Sequence, residues 1–212
     1  MTRLAVFSLA AAFLAGTAPA TVLFTTLGPG QSYTQNVGRA ISGVDNSVTS
    51  SHSEWGWQFQ PVESGSLSVI KVGAHWLSGA NEARVKLMSN EAGDVIGTEL
   101  GQWTFGGMVP FNSIGTVITI DTSASNLSLT QGTSYWLVME PSSLDTYAAW
   151  MDSSFDLNLN GRMAVSSDGT SYGYVNNMRY SAFAIESVPE PGSLLVLAIG
   201  GAHLLRRRKR TS

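Results

Sequence analysis

The chain of 212 residues contains no cysteine. Disulfide staples, thiolate metal sites and thiol catalysis are thereby excluded, and any exported domain must hold together by packing, with or without a metal ion. Positive charge is scarce where a domain would lie. Six of the twelve Lys and Arg sit near the two ends, at Arg3 and at Arg206 to Arg210, and between Thr21 and Val188 six cations meet fourteen acids, a net of −8. That balance speaks against a nucleic-acid partner or an anionic membrane surface. It is compatible with cation binding, with a neutral sugar partner, or with solubility alone. No window of helical length keeps apolar residues at i, i+3, i+4 and i+7, so almost no helix is expected. A repeat of fixed period and an H-E-x-x-H zinc pattern are absent as well.

What is present is clearest at the ends. Arg3 is a minimal basic region, Leu4 to Ala15 is apolar, and Ala18-Pro19-Ala20 has the small-x-small shape that signal peptidase cleaves, so residues 1–20 read as a signal peptide. At the other end Pro189 and Pro191 cannot sit in a helix interior or a central strand, so a folded domain must stop before them. The apolar run Leu194 to Leu205 follows, then Arg206-Arg207-Arg208-Lys209-Arg210, a block that stays on the cytoplasmic side of a membrane. Twelve residues at about 1.5 Å each reach roughly 18 Å, so a span would borrow Pro191 to Ser193 and let the arginines snorkel. Residues 188–212, with Val188-Pro189-Glu190-Pro191-Gly192-Ser193 as motif, resemble the PEP-CTERM sorting signal of Gram-negative bacteria. The resemblance implies a protein held transiently in the inner membrane until an exosortase removes the tail, after which the body reaches the cell surface or the extracellular matrix.

Between the ends, residues 21–187 form one extracytoplasmic domain rich in Gly, Ser and Thr and interrupted by turn residues every eight to twelve positions. This predicts an all-β fold, a jelly-roll-like antiparallel β-sandwich. Trp55-Gly-Trp57-Gln-Phe59 alternates with its aromatics on one face. Strands are expected at Thr21 to Thr26, Gly65 to Leu77, Ala83 to Met88, Val95 to Leu100, Trp103 to Phe105, Val117 to Ile120, Ser134 to Glu140, Thr146 to Trp150 and Ser181 to Glu186. Gln31 to Ser53 is polar without periodicity and is expected to be mostly loop. The paired tryptophans, the Leu67-Ser-Val-Ile70 strand, the turn Asn90-Glu-Ala-Gly-Asp94 and Gly132-Thr-Ser-Tyr-Trp136 leading into Trp150 resemble, in that order, the choice-of-anchor domains. Those are β-sandwich modules attached to bacterial surface-sorting signals.

Four patterns bear on chemistry. Gly169-Thr-Ser171-Tyr-Gly173 matches a nucleophile elbow, but that device needs a strand-to-helix turn and a later histidine. The only later one, His203, belongs to the tail, so an Asp168-Gly169 hairpin turn is expected instead. His52 lies in a polar loop and His75 at a strand end beside Trp76, and their spacing makes no zinc pattern. His75 is expected partly buried, with its ring nitrogens satisfied. Asp156, Asn158 and Asn160 before Gly161 open like a calcium loop, a candidate Ca²⁺ site. The twelfth position is Ser167 where such a loop needs Glu, and the same residues fit a strand ending in an Asn-Gly turn.

The fourth pattern is aromatic. Six tryptophans stand in a chain of modest charge, and exposed indoles stack on sugar rings while neighbouring Asp, Asn and Gln take the hydroxyls. Trp55, Trp57, Trp76 and Trp150 are the candidate glycan contacts, with core packing the alternative for each; Trp136 is expected to fill core on at least one face. The expected function is a non-catalytic structural or adhesive role in extracellular polysaccharide, as in a biofilm, with signal peptidase and exosortase as processing partners. A dedicated carbohydrate-binding module is the alternative, favoured by exposed tryptophans. A polysaccharide-active enzyme would need carboxyls paired across a cleft, and Asp145, Asp152 and Asp156 are the acids grouped around Trp150.

Overall fold

Alternation of inward and outward side chains, rather than helical periodicity, builds this molecule. The computed structural model describes residues 20–155 and 160–187. In chain order the strands are β1 (Thr21–Thr25), β2 (Tyr33–Ser42), β3 (Glu54–Phe59), β4 (Gly65–Ser66), β5 (Val69–Val72), β6 (Ala74–Ser78), β7 (Glu82–Glu91) and β8 (Val95–Gly106). There follow β9 (Val109–Pro110), β10 (Ile118–Asp121), β11 (Ser128–Leu129), β12 (Tyr135–Pro141), β13 (Tyr147–Ser153), β14 (Asn160–Ser166), β15 (Gly173–Arg179) and β16 (Phe183–Ser187). Two 3₁₀ turns, Pro29–Gln31 and Ser123–Ser125, are the only helical pieces among the described residues. The protein is all-β and sandwich-like.

One layer is a six-stranded sheet in the order β15-β14-β3-β12-β7-β8. The other consists of two four-stranded sheets, β1-β16-β5-β10 and β2-β13-β6-β9, which meet where Gly73 separates β5 from β6. There the backbone bonds Gly73 N to Ala182 O, Met151 N to Gly73 O and Ala182 N to Met151 O stitch the two sheets together. A two-stranded pair, β4 with β11, closes one margin. Pairings between strands are antiparallel except for the short contact of β6 with β9.

The core lies between the layers. Trp57, Phe59, Val85, Leu87 and Leu137 come from the large sheet, and Ile70, Val72, Trp150, Phe183 and Ile185 from the others, all buried. Each such side chain contributes about 1.5–3 kcal/mol of burial. Phe183 is the aromatic hub, with Phe24, Phe59, Trp150 and Tyr180 at ring-centroid distances from 5.3 to 6.2 Å.

Three expectations are corrected. The polar stretch Gln31 to Ser53 holds the ten-residue strand β2, whose polarity reflects its place at a sheet edge. Gly65 to Leu77 is not one strand but three, broken at Leu67-Ser68 and at Gly73. The segments Val95 to Leu100 and Trp103 to Phe105 are a single strand, because Gly101 stays extended opposite Leu87.

The large sheet curls strongly. Laid flat, its edge strands β15 and β8 would be about 24 Å apart. Instead Ile96 N donates to Tyr174 Oη at 3.0 Å, and Arg162 Nη2 donates to Gly93 O at 3.4 Å. Register shifts in the β7–β8 pair at Leu87/Met88 and Met88/Asn90 accompany this bend, and the hairpin tip folds over the face that points away from the core. Gly56 permits the closure, since a Cβ there would meet Val138 Cγ2 at 3.1 Å and Ile96 Cδ1 at 3.4 Å.

Candidate functional site

The alternation of β3 decides the fate of the first tryptophans. Trp57 faces the core and is fully buried, as is Trp150 on β13, whose indole N–H donates to Ala182 O at 3.0 Å. Neither can stack on a sugar, and both are withdrawn from the expected glycan contacts: inward positions on paired strands leave no free ring face. Trp55 and Trp76 are half-buried. Trp55 donates to Ala40 O at 2.7 Å beneath the guanidinium of Arg39, and Trp76 donates to Gly79 O at 3.1 Å. The platform of four is thus reduced to two separately placed rings.

A groove stands in a place the sequence did not indicate. It runs between β8 and β10, the free edges of two different sheets, with a volume of about 560 Å³. That is within the range of about 300–1,000 Å³ seen for small-molecule sites. Half-buried Trp103 and Ile118 and nearly buried Phe105 and Ile120 supply its apolar surface. Exposed Gln102, Thr104, Thr119 and Asp121 supply amide, hydroxyl and carboxylate groups. Asp121 accepts from both the N–H (2.9 Å) and the hydroxyl (2.6 Å) of Ser123, which hold its carboxyl below the usual range. No cation lines the groove.

The second cluster lies on the curled face. Because Val138 pairs with Gly56 and Met139 with Trp55, the next position sets Glu140 opposite Glu54. Both are buried, Glu54 completely and Glu140 to 7 % exposure. Like charges directly opposite are destabilising, so the neighbours matter. Arg84 Nη1 donates to Glu140 Oε1 at 3.1 Å, and Lys86 Nζ is in contact with Glu140 Oε2. Tyr172 Oη donates to Glu54 Oε1, and His52 Nε2 lies 3.3 Å from Glu54 Oε2. Burial pushes the Glu140 carboxyl above the usual range, Lys86 pulls it back, and Glu54 pushes it up again. Burial, reinforced by Glu54, raises the Tyr172 phenol far above its ordinary value. Farther along the same face Trp136 is fully buried beneath the edge of Tyr174 and donates to Asn90 Oδ1 at 2.8 Å.

Sequence reasoning missed this cluster because its members come from three strands and two loops. The available signal was the charged pair Arg84 and Lys86 at alternate positions of an otherwise apolar strand.

Gly169 has φ +76°, and Asp168 Oδ1 accepts from Thr170 N and Ser171 N in the loop that joins β14 to β15. Ser171 is therefore in a strand-to-strand turn, not on a nucleophile elbow. Those amides hold the Asp168 carboxyl far below its usual range. His75 is fully buried rather than partly. Its Nε2 is 2.9 Å from Tyr33 Oη, while Nδ1 has no partner among the described residues, and burial lowers its pKa. Asp145 is exposed and Asp152 buried, so the acids around Trp150 do not share an environment. Asp156 and Asn158 lie outside the described residues, and Asn160 opens β14. Among the described residues no three His, Asp or Glu side chains are grouped to hold a metal. Ala20 is exposed ahead of β1. Ala18, the sorting motif Val188 to Ser193 and the basic run Arg206 to Arg210 lie outside the described residues.

No family model matches this chain, and neither a curated protein nor a solved structure matches it significantly.

Proposed function

We propose that this is an exported cell-surface or extracellular-matrix protein, sorted by an exosortase, whose jelly-roll-like sandwich has a non-catalytic, adhesive role in extracellular polysaccharide. The observation that carries the reading is the groove between β8 and β10. Trp103 offers an aromatic surface to the C–H face of a sugar, and Gln102, Thr104, Thr119 and Asp121 offer hydrogen-bond partners to its hydroxyls. A lining whose one charge is a carboxylate favours a neutral glycan over a uronate. The signal peptide, the Pro189-Glu190-Pro191 motif and the basic tail support export and sorting. A cofactor has no part in this reading, and Ca²⁺ at Asp156, Asn158 and Asn160 is not required by it.

Affinity electrophoresis of the full chain through gels cast with neutral or uronate-rich polysaccharide tests the reading. Retardation by a neutral polymer alone is expected; equal mobility in every gel would remove the proposal.

A further inference from the structure

A domain without cysteine has no disulfide to clamp adjacent strands, yet the curled face carries the parts for another covalent clamp. Lys86 on β7 and Glu140 on β12 are diagonal neighbours on adjacent antiparallel strands, since Lys86 pairs with Val138 and Arg84 with Glu140. Their side chains are in contact and mostly buried, at 18 % and 9 % exposure. Glu54, fully buried, stands opposite Glu140 from the other side. We propose that the folded protein joins Lys86 Nζ to Glu140 Cδ in an amide bond, with Glu54 carrying the protons and Arg84 stabilising the oxygen on which charge develops.

The step balances without any co-reactant. A proton leaves the Lys86 ammonium through Glu54 and neutralises the Glu140 carboxylate. The Nζ lone pair attacks Cδ, and the displaced π pair moves to Oε1, which Arg84 Nη1 already contacts at 3.1 Å. Glu54 takes the second proton from nitrogen and delivers it to Oε2. The C–Oε2 bond breaks, water departs, and the C=O at Oε1 re-forms. Ammonium plus carboxylate gives amide plus water, nothing is oxidised or reduced, and Glu54 ends as it began.

In open water amine and carboxylate do not condense, because both are solvated ions. Here burial and the facing Glu54 favour the neutral acid. Fixed contact replaces a bimolecular encounter, which is worth an effective concentration of about 10⁵–10⁸ M in well-oriented cases. Tyr172, bonded to Glu54, positions the proton carrier. Among the described residues, His52, Arg84, Tyr172, Tyr174, Arg162 over the Tyr174 ring, and Asp94 beside Asn90 also stand on this face.

Mass spectrometry of the purified full chain decides the matter, because the bond survives denaturation. The expected product lacks the mass of one water. Trypsin should fail to cut after Lys86, leaving residues 85–162 as one peptide lighter by one water, since no Lys or Arg lies between Leu87 and Gly161. Chain kept in denaturant from synthesis should retain the water and lose it on refolding. Lys86→Arg should restore the full mass, and E54Q should slow or abolish the loss. A folded wild-type chain at its full mass, cut after Lys86, overturns the bond irrespective of how any variant folds. Water loss in E54Q at the wild-type rate overturns the part assigned to Glu54.

Discussion

Glu140 faces Glu54 across the β3–β12 pairing, two buried carboxyls held side by side in the sheet. Their compensation comes from two sides: Arg84 and Lys86 of β7 reach Glu140, while Tyr172 and His52 reach Glu54. Removing a cation from a buried pair costs more than removing one of two like charges. Lys86→Ala, which leaves Glu140 without this partner and removes the amide as well, should therefore destabilise the fold by at least about 3 kcal/mol. In a Lys86→Arg background, where no amide can form, Glu54→Gln relieves the repulsion and should change stability by no more than about 1 kcal/mol. Chemical denaturation midpoints read both, and an Ala variant as stable as the parent would deny the network a structural role.

Asp152 predicts a pH dependence. It is 5 % exposed, its Oδ1 has no partner among the described residues, and burial raises its pKa against the smaller lowering by Arg39 and Arg179. An acid with a raised folded pKa contributes its stability below its unfolded value and loses it as pH rises through the folded one. Asp152→Asn should match the parent near pH 4 and exceed it by about 1 kcal/mol at neutral pH. Melting curves of the two proteins between about pH 4 and pH 8 should diverge upward; parallel curves would contradict the assignment.

Gly56 predicts a steric cost. A methyl group there crowds Val138 and Ile96, the contacts that close the curled face. Gly56→Ala should lose about 1–3 kcal/mol, and amide exchange should quicken at Ile96, whose N–H bonds Tyr174. Unchanged exchange would show that the closure does not depend on this glycine.

Much of the fold was legible in single strands. The aromatics of Trp55, Trp57 and Phe59 alternate as a half-buried strand must, and Trp57 and Phe59 do face the core. Strand β2 was not legible, because an edge strand with Thr34, Gln35, Asn36 and Arg39 carries no apolar rhythm. Nor was the groove, which depends on how two sheet edges meet: Trp103 and Ile118 are fifteen residues apart, and nothing local relates them. Glu54 and Glu140 come together only through register, and no pattern along one strand records what lies across it. Tryptophan was the weakest guide to function, since a large ring in a thin sandwich fills core as readily as it meets a ligand; Trp57 and Trp150 do the former.

Trp103 is the residue on which the adhesive role turns. Titration of the protein and its Trp103→Ala variant with a neutral polysaccharide, followed by tryptophan emission and calorimetry, measures this directly. The account predicts saturable binding by the parent and an affinity lower by about tenfold in the variant. Equal binding by both, or none by the parent to any polysaccharide, would contradict it.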